Sequence, residues 1–286
     1  MKDFKDKVAV ITGAASGIGF GLAERCAQEG MKVVLADIDE KYLRRRAARK
    51  MEKLGATFIT VVTDVSKVSD METLAEKTLE EYGAVHLLVN NAAIAHTKYA
   101  WNYSLKDWEW QLGVCLWGVL HGIRIFVPIM LNQDTEGHII NTASMEGLIS
   151  GSGPGGAGYG LCKHAIVSLT ETLRTDFELK GCKLKTSVLC PGFVLTRIFQ
   201  GDIHRPKEFE NDPNSITEDS RAEDYMASFV EEDVLTQSPM MNPEEVANIT
   251  FQAIRDEKLY ILTHKDALMK RIVKERFDEI LNAFEE

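Results

Sequence analysis

Short apolar runs rich in valine and isoleucine alternate along this chain with longer segments of helical periodicity. The apolar runs predict seven strands, over residues 8–12, 32–36, 57–62, 86–89, 138–142, 183–189 and 259–262. The periodic segments predict helices over residues 18–29, 40–54, 68–82, 105–131, 158–179, 243–255 and 267–284. Apolar strands that alternate with helices are typical of a parallel sheet covered by helices on both faces. The pattern therefore predicts an α/β fold with a doubly wound parallel sheet of about seven strands.

No internal repeat or linker divides the chain, so we predict a single domain over residues 1–286, in which residues 243–286 supply the C-terminal helices and the last strand. The stretch 197–241 departs from the regular pattern, because it is polar and carries many acids and three prolines, Pro206, Pro213 and Pro239. Long irregular segments of compact domains commonly form lids or binding loops. We predict a substrate lid here, with a surface excursion that has no function as the alternative.

Composition narrows the classes of partner. The chain has 286 residues, 45% of them hydrophobic and 27% charged, which is enough to bury a sizeable core. Its net charge of -10 disfavours nucleic acid and anionic membrane surfaces as partners. Five cysteines without CxxC or Cys/His spacing predict neither a disulfide framework nor a metal site, and they fit a reducing cytoplasm. The charged N-terminal segment predicts no signal peptide, and no stretch approaches the ~20 apolar residues of a membrane span. The expected partner is a small molecule.

A glycine-rich turn, TGAASGIG, occupies residues 12–19, after the first predicted strand and at the start of the first predicted helix. Gly13, Gly17 and Gly19 permit tight turning and a close approach of the backbone to a pyrophosphate. The new helix offers unpaired N–H groups and the positive end of its dipole. The spacing is GxxxGxG rather than the usual GxGxxG, and a purely structural turn is the alternative. The strand-turn-helix context favours phosphate binding.

An acid follows the second predicted strand, where it can accept hydrogen bonds from the adenosine ribose hydroxyls of a dinucleotide. This residue is Asp37. A carboxylate at that place repels a 2′-phosphate, so the sequence favours NAD over NADP as the cofactor. Three consecutive arginines, Arg44, Arg45 and Arg46, could in principle bind a phosphate. Consecutive helical residues point about 100° apart, so we interpret the three as a solvated helix surface.

Tyr159 and Lys163 stand four positions apart in a predicted helix and therefore share one of its faces. A nearby ammonium favours the phenolate, so we expect Lys163 to lower the pKa of Tyr159 from its ordinary value of about 10. A tyrosine tuned in this way can act as a general acid or base. Together with the nucleotide turn, the pair indicates hydride transfer at a carbonyl or an alcohol.

Seven motifs in order resemble those of the short-chain dehydrogenase/reductase family. They are TGAASGIG, Asp37, Asp64-Val65, NNAA over residues 90–93, TAS ending at Ser144, YGLCK over residues 159–163, and PGFVLT over residues 191–196. The resemblance covers residues 5–196 and implies a Rossmann fold. It also implies that Tyr159 is the general acid in reduction and the base in oxidation. Ser144 would hydrogen-bond the substrate oxygen, and Lys163 would hold the nicotinamide ribose.

The resemblance further implies a set of cofactor contacts and an assembly. The cofactor-binding residues would be Gly13, Ser16, Gly17, Ile18, Gly19, Asp37, Asp64, Val65, Asn91, Tyr159, Lys163, Pro191, Val194 and Thr196. Asp64 and Val65 would meet the adenine ring, Asn91 would line the cofactor groove, and residues 191–196 would pass the nicotinamide carboxamide. Family members are commonly homodimers or homotetramers that pack through helices matching 105–131 and 158–179.

One position departs from the family in a way that concerns the chemistry. The family's fourth catalytic residue is an asparagine, and the matching stretch here, WEWQLGVCLWG over residues 108–118, places Cys115 there. The asparagine anchors a water that relays protons to the lysine, and a thiol is a poor hydrogen-bonding substitute. We interpret Cys115 as a small buried hydrophobe, because the stretch shows no electropositive, partly exposed setting; a catalytic thiol is the alternative.

Two smaller departures concern the backbone. The interval between Ser144 and Tyr159 is longer than in the family, and the glycine-rich segment 151–158 can absorb the additional length. Ala93 replaces a glycine, which is tolerated if its φ is negative.

The sequence thus predicts an NAD-dependent short-chain alcohol dehydrogenase or ketone reductase. Six apolar residues in or beside 197–241 suit a bulky apolar substrate such as a hydroxysteroid. They are Phe193, Ile198, Phe199, Met226, Met240 and Met241. Docking of the lid on the core is the alternative role for them.

Two rival functions remain open from the sequence. An NADPH-dependent carbonyl reductase is disfavoured by Asp37. A non-catalytic NAD(H)-binding sensor or scaffold is motivated by Cys115 and opposed by the intact Ser144, Tyr159 and Lys163.

Overall fold

The fold is seen in a computed structural model that describes residues 1–149, 155–211 and 234–285. Seven parallel strands form one sheet in the order β3-β2-β1-β4-β5-β6-β7. The strands are β1 (Val8–Thr12), β2 (Lys32–Asp37), β3 (Phe58–Val62), β4 (Leu87–Asn90), β5 (Gly137–Thr142), β6 (Leu184–Cys190) and β7 (Tyr260–Leu262). The predicted single-domain α/β fold with a doubly wound parallel sheet is confirmed.

The strands are mainly apolar because their two faces lie against different helix layers. On β1, the side chains of Ala9 and Ile11 pack in one core, and those of Val8 and Val10 pack in the other. Alternate residues of a strand point to opposite faces, so a sheet covered on both sides favours apolar residues at successive positions.

The helices flank this sheet and match the predicted segments to within two residues at most ends. They are α1 (Gly17–Gln28), α2 (Glu40–Tyr42, the π-helical stretch Leu43–Ala47 and Ala48–Lys53), α3 (Val68–Tyr82), α4 (Leu105–Asn132, with a π-helical stretch at Gly113–Trp117), α5 (Ala157–Lys180), α6 (Val234–Gln237), α7 (Pro243–Arg255) and α8 (Ala267–Asn282). Gly83 and Gly181 end α3 and α5 with φ of 72° and 62°, a left-handed conformation that favours glycine.

Helix α4 contradicts the expectation that no stretch of the chain approaches the length and apolar character of a membrane span. It contains an 18-residue window with a mean hydropathy of 1.9, so a stretch long and apolar enough for a membrane span does exist. The inner face of α4 packs on the sheet through Val119, Phe126 and Met130. Its position as a sheet-covering helix accounts for that apolar face, while Trp117 on the outer face stays exposed.

The sheet reverses its winding between β1 and β4, which are neighbours in space although three strands apart in sequence. Crevices at the carboxyl ends of strands form at such a switch point, and ligands bind there. The loops that follow β1, β4, β5 and β6 all reach this edge. The predicted motifs around Gly13, Asn91, Ser144 and Pro191 therefore lie on one side of the sheet.

The predicted lid is described in part. Residues Ile198–His204 and Lys207–Phe209 form short 3₁₀ helices, and α6 precedes a bridge between Val194 and Met241. Pro213 and Met226 lie outside the described residues, as do residues 150–154 of the glycine-rich segment.

Candidate active site

A cleft of about 620 Å³ opens at the carboxyl edge of the sheet. The predicted site residues that line it are Gly13, Ser16, Gly17, Ile18, Asp37, Asp64, Val65, Asn91, Ser144, Tyr159, Lys163, Pro191, Val194 and Thr196. Gly19 lies behind the turn and not on the cleft wall. The fold thus brings together residues that are spread over nearly 190 positions of the sequence.

The glycine turn needs glycine for two distinct reasons. Gly13 has a φ of 68°, which a side chain would strain. A Cβ on Gly19 would stand 2.2 Å from the carbonyl oxygen of Gly13, so the start of α1 packs directly on the turn. Asn91 fastens the same turn, because its Nδ2 donates to the Thr12 carbonyl at 3.0 Å.

Helix α1 starts at this turn, and its N-terminus has no side-chain cap. Ser16 is the N-cap residue in an extended conformation, and its side chain makes no capping hydrogen bond. The N–H groups of a first helical turn and the helix dipole together favour a phosphate group.

Asp37 faces the same end of the cleft. Its Oδ2 accepts a hydrogen bond from the N–H of Ala15 at 2.9 Å, and its Oδ1 accepts one from the N–H of Asp39 at 2.9 Å. Burial raises the pKa of Asp37, and the two backbone donors oppose that rise. These bonds hold the carboxylate at the position where a ribose hydroxyl can donate to it.

Asp64 and Val65 form the neighbouring wall after β3. The Oδ1 of Asp64 accepts hydrogen bonds from the backbone and side chain of Ser66, at 3.0 and 2.6 Å. The carbonyl of Val65 bonds to the His121 ring on α4 at 3.0 Å. The wall is therefore fixed before any ligand binds.

Ser144, Tyr159 and Lys163 meet at the other end of the cleft. The Oγ of Ser144 accepts a hydrogen bond from the N–H of Glu146 at 3.2 Å and lies 3.4 Å from the Pro191 carbonyl. The Nζ of Lys163 donates to the Thr142 carbonyl at 2.9 Å and stands 5.1 Å from the centre of the Tyr159 ring. Ser144 thus both caps the local backbone and lines the cleft.

The expectation that Lys163 lowers the pKa of Tyr159 is wrong. Burial raises the pKa of Tyr159 well above its ordinary value, and the charge of Glu146 adds to the rise. A hydrogen bond with Ser144 opposes it. Burial also lowers the pKa of Lys163, whose ammonium is bound to a backbone carbonyl and not to the phenol. The buried phenol is therefore a weaker acid than a free tyrosine, and its proton transfer depends on neighbouring groups that stabilise the phenolate.

Cys115 lies under this site with 1% of its surface exposed. Its Sγ accepts N–H groups from Ile94 at 3.3 Å and from Gln111 at 3.2 Å, and it can donate to the Ile94 carbonyl at 3.2 Å. It packs beside Trp110 and Cys162, so the interpretation as a small buried residue agrees with the structure.

The setting of Cys115 is nevertheless electropositive, which the sequence interpretation missed. Burial by itself would raise the pKa of this thiol, but a hydrogen bond with Cys162 and the charge of Lys163 lower it below its ordinary value. The local stretch 108–118 contains no lysine or arginine, and the cation comes from α5. Cys115 therefore lies in the field of Lys163 although it makes its hydrogen bonds to the backbone and to Gln111.

Replacing Cys115 by asparagine tests whether the sulfur is needed. An asparagine side chain can accept from the Ile94 N–H and donate to the Ile94 carbonyl, as the thiol does. We therefore expect Cys115→Asn to fold and to show equal or higher kcat. Cys115→Ala, which makes neither bond, is the matched control. Turnover and urea unfolding of both variants check this expectation, and a large loss of kcat in Cys115→Asn with an unchanged fold would mean that the thiol is essential.

Several cleft residues were not singled out from the sequence. Glu146 is buried and lines the cleft two residues after Ser144, at the end of β5. Met269 and Ile272 line it from one face of α8. The position of Glu146 beside a catalytic motif was a usable signal, whereas nothing local distinguishes the two apolar residues of α8 from ordinary core residues.

The apolar residues proposed for substrate binding divide into three groups. Phe193, Ile198, Phe199 and Met240 line the cleft. Met241 instead exchanges backbone hydrogen bonds with Phe193 and Leu195, so it fastens the lid to the core. Met226 lies outside the described residues.

Residues 197–205, which we call the strap, contribute six side chains or backbone positions to the cleft wall and are anchored at one end by a buried carboxylate. Asp107 on α4 is fully buried and accepts a hydrogen bond from Arg205 Nη2 at 2.6 Å and one from Lys98 Nζ at 2.8 Å. His96 lies 3.2 Å from Asp107 and 3.3 Å from Asp202 of the strap.

Two expectations about single positions agree with the structure. Ala93 does not adopt a positive φ, so the methyl group it adds causes no backbone strain. Arg44, Arg45 and Arg46 are exposed on α2 and are absent from the cleft wall, as the helical geometry predicts.

Comparison with known proteins adds three findings. A family model described as short chain dehydrogenase matches residues 7–206. The chain is 35% identical over 266 residues to a CLA biosynthesis dehydrogenase/reductase of Lactiplantibacillus plantarum, covering 93% of this chain and 91% of that protein. It is 30% identical over 276 residues to 1-deoxy-11-beta-hydroxypentalenate dehydrogenase of Streptomyces exfoliatus, covering 96% and 88%.

Among solved structures, the chain is similar to a short chain dehydrogenase/reductase from Burkholderia phymatum in complex with NAD. The TM-score is 0.88 at 40% sequence identity, and the match covers 99% of this chain and 97% of that one.

Proposed function

Because this chain belongs to the short-chain dehydrogenase/reductase family, we propose that it is an NAD-dependent dehydrogenase that interconverts a bulky apolar secondary alcohol and its ketone. The observation that carries the proposal is a single cleft that joins the glycine turn and Asp37 to Ser144, Tyr159 and Lys163.

The described residues fit a nicotinamide dinucleotide. Gly13 and Gly19 allow the turn to pack directly against Asn91, Ala92 and the start of α1, and α1 presents an uncapped N-terminus that can receive a pyrophosphate. Asp37 suits two ribose hydroxyls and repels a 2′-phosphate, which supports NAD over NADP. When bound, the cofactor would supply the hydride acceptor or donor.

Three residues of the chain would bind the substrate oxygen and transfer its proton. The Ser144 hydroxyl would hydrogen-bond the substrate oxygen and orient it toward Tyr159. Tyr159 would give a proton to that oxygen in reduction and remove it in oxidation. Lys163, buried beneath the ring, would stabilise the phenolate that forms in the transition state.

An apolar substrate is supported by the walls of the cleft around Tyr159. Phe193, Phe199, Met240, Met269 and Ile272 line the same cleft as Tyr159. Burial of apolar surface is worth about 25 cal/mol per Å², so such walls favour a bulky hydrocarbon skeleton over a short polar one. A hydroxysteroid fits this description, and one relative is named for the dehydrogenation of a hydroxylated compound.

A panel of alcohols tests the proposal. With NAD, we expect turnover of steroid or terpenoid secondary alcohols at kcat/KM well above that of short aliphatic and sugar alcohols. Activity confined to polar substrates would refute the apolar class. Faster turnover with NADP would favour the rival NADPH-dependent reductase, and NADH binding without turnover on the whole panel would favour a sensor or scaffold.

We also propose a homo-oligomer that assembles through α4 and α5. Trp117 on α4 and Leu161 on α5 are 53% and 50% exposed, and these are the helices that the family resemblance assigns to subunit contacts. The mass of the protein in solution tests this assembly.

A further inference from the structure

The strap meets the adenosine-ribose end of the cleft through two basic side chains. The Nε2 of His204 lies 3.3 Å from Oδ2 of Asp39, and the Nη1 of Arg197 lies 3.8 Å from the same oxygen. The Arg197 guanidinium also stands 4.0 Å from the centre of the Tyr42 ring, and its Nε donates to Gln200 at 3.0 Å. Both basic groups are therefore drawn toward Asp39.

Asp39 is held in place for this contact. Its N–H donates to Oδ1 of Asp37 at 2.9 Å, and its own Oδ1 accepts the N–H of Tyr42 at 3.0 Å as the N-cap of α2. The Oδ1 atom of Asp39 thus caps the helix, and the Oδ2 atom contacts the two side chains of the strap. Because the side chain is only 12% exposed, its contacts with the strap are poorly screened by solvent.

Arg197 and His204 line the same cleft as Asp37 and Ser16. A 2′-phosphate on the adenosine ribose would bring further negative charge to this place. Arginine is the side chain best suited to bind phosphate, since its planar guanidinium can donate two parallel hydrogen bonds. The strap therefore carries basic side chains of the kind that bind the 2′-phosphate of NADP, and both of them contact Asp39.

We propose that Asp39 is a second determinant of cofactor specificity, a positioning residue that keeps Arg197 and His204 away from the ribose 2′ position. This inference rests on the proposed function, in which Asp37 receives the ribose hydroxyls. Asp37 disfavours a 2′-phosphate directly, by its own charge. Asp39 disfavours it indirectly, by occupying the two basic side chains that would compensate for that charge.

The test is the direct binding of NADH and NADPH, measured by the fluorescence of the reduced nicotinamide with no substrate present. Asp39→Asn keeps the size of the side chain and an oxygen that can cap α2, but it removes the charge that holds the strap. We expect its Kd for NADPH to fall on the order of tenfold, the effect of one charge-assisted contact to a phosphate. The Kd for NADH should change little. Asp39→Ser, another helix-capping residue, repeats the measurement if the asparagine variant folds poorly.

Two further variants separate the proposed role from a plain charge effect. Asp202→Asn removes a carboxylate from the strap on its other side, beside His96, and should leave the ratio of the two Kd values unchanged. In the Asp39→Asn background, Arg197→Gln with His204→Gln should abolish the gain in NADPH affinity.

Two results would overturn the inference. The first is an unchanged Kd ratio in Asp39→Asn and Asp39→Ser. The second is a gain that persists after Arg197 and His204 are replaced, because Asp39 would then act through its own charge. A wild-type protein that binds neither coenzyme, or that prefers NADPH, would instead contradict the proposed function and remove the premise of the inference.

Discussion

Tyr159→Phe is expected to lower kcat by about 10³-fold, within the range that a positioned general acid or base contributes. The substitution removes the hydroxyl that exchanges a proton with the substrate and leaves the ring in place over Lys163. We expect the Kd for NADH and the unfolding curve to stay as in the wild type, because the glycine turn and Asp37 are untouched. Steady-state turnover, NADH fluorescence titration and urea unfolding measure the three quantities.

Tyr82→Phe is the matched control for this variant. Tyr82 ends α3 on the far side of the protein, where its ring lies under the Lys32 ammonium. The same loss of a hydroxyl there should leave kcat unchanged. If Tyr159→Phe kept more than about a tenth of wild-type turnover, the assignment of Tyr159 as the acid/base would be wrong, since even a weak general acid contributes more than that.

Asp107→Asn is expected to destabilise the protein by about 3 kcal/mol or more, the cost of breaking a buried charge pair from one side. Asp107 is fully buried, and its partners Lys98 and Arg205 are themselves only 14% and 11% exposed. Without the carboxylate, two cations stay in a poorly solvated place, and the strap loses its anchor on α4. Urea unfolding at neutral pH measures the effect.

The pH dependence of this difference has a definite sign. Burial by itself would raise the pKa of Asp107, but hydrogen bonds from Lys98, Ser104 and Arg205 hold it well below its ordinary value. A carboxylate with a lowered pKa stabilises the fold fully above its unfolded pKa of about 4, and this contribution is lost as the pH falls through the folded value. The unfolding free energies of wild type and Asp107→Asn should therefore converge below about pH 4.

An exposed ion pair provides the control for Asp107→Asn. Asp134 pairs with Lys183 at 3.0 Å but is 81% exposed, so Asp134→Asn should change the unfolding curve little. Asparagine also tolerates the positive φ of 49° at this position. Equal stability of Asp107→Asn and Asp134→Asn would mean that the buried cluster does not hold the strap.

Most of the fold and much of the site could be predicted from the sequence. The apolar runs locate the seven strands, because a strand buried on both faces is mainly apolar along its length. Gly13, Asp37, Ser144, Tyr159 and Lys163 were found from local motifs, and the structure places all five on one cleft.

The errors and omissions concern contacts between distant parts of the chain. The pKa of Tyr159 was expected to fall, but burial raises it, and burial depends on everything that packs around the ring. The electropositive setting of Cys115 was missed because Lys163 belongs to a different helix. Met269 and Ile272 line the cleft without any local pattern that distinguishes them.

The sequence by itself determined the order of strands and helices, the nucleotide-binding turn and the pairing of Tyr159 with Lys163. These depend on periodicity and on residues within about four positions of each other, which the local backbone geometry fixes. Only the tertiary structure decided which groups surround Tyr159, what lies beside Cys115 and where the strap is anchored. Asp39 and His204 are 165 positions apart in sequence and 3.3 Å apart in space, and only the packed fold brings such groups together.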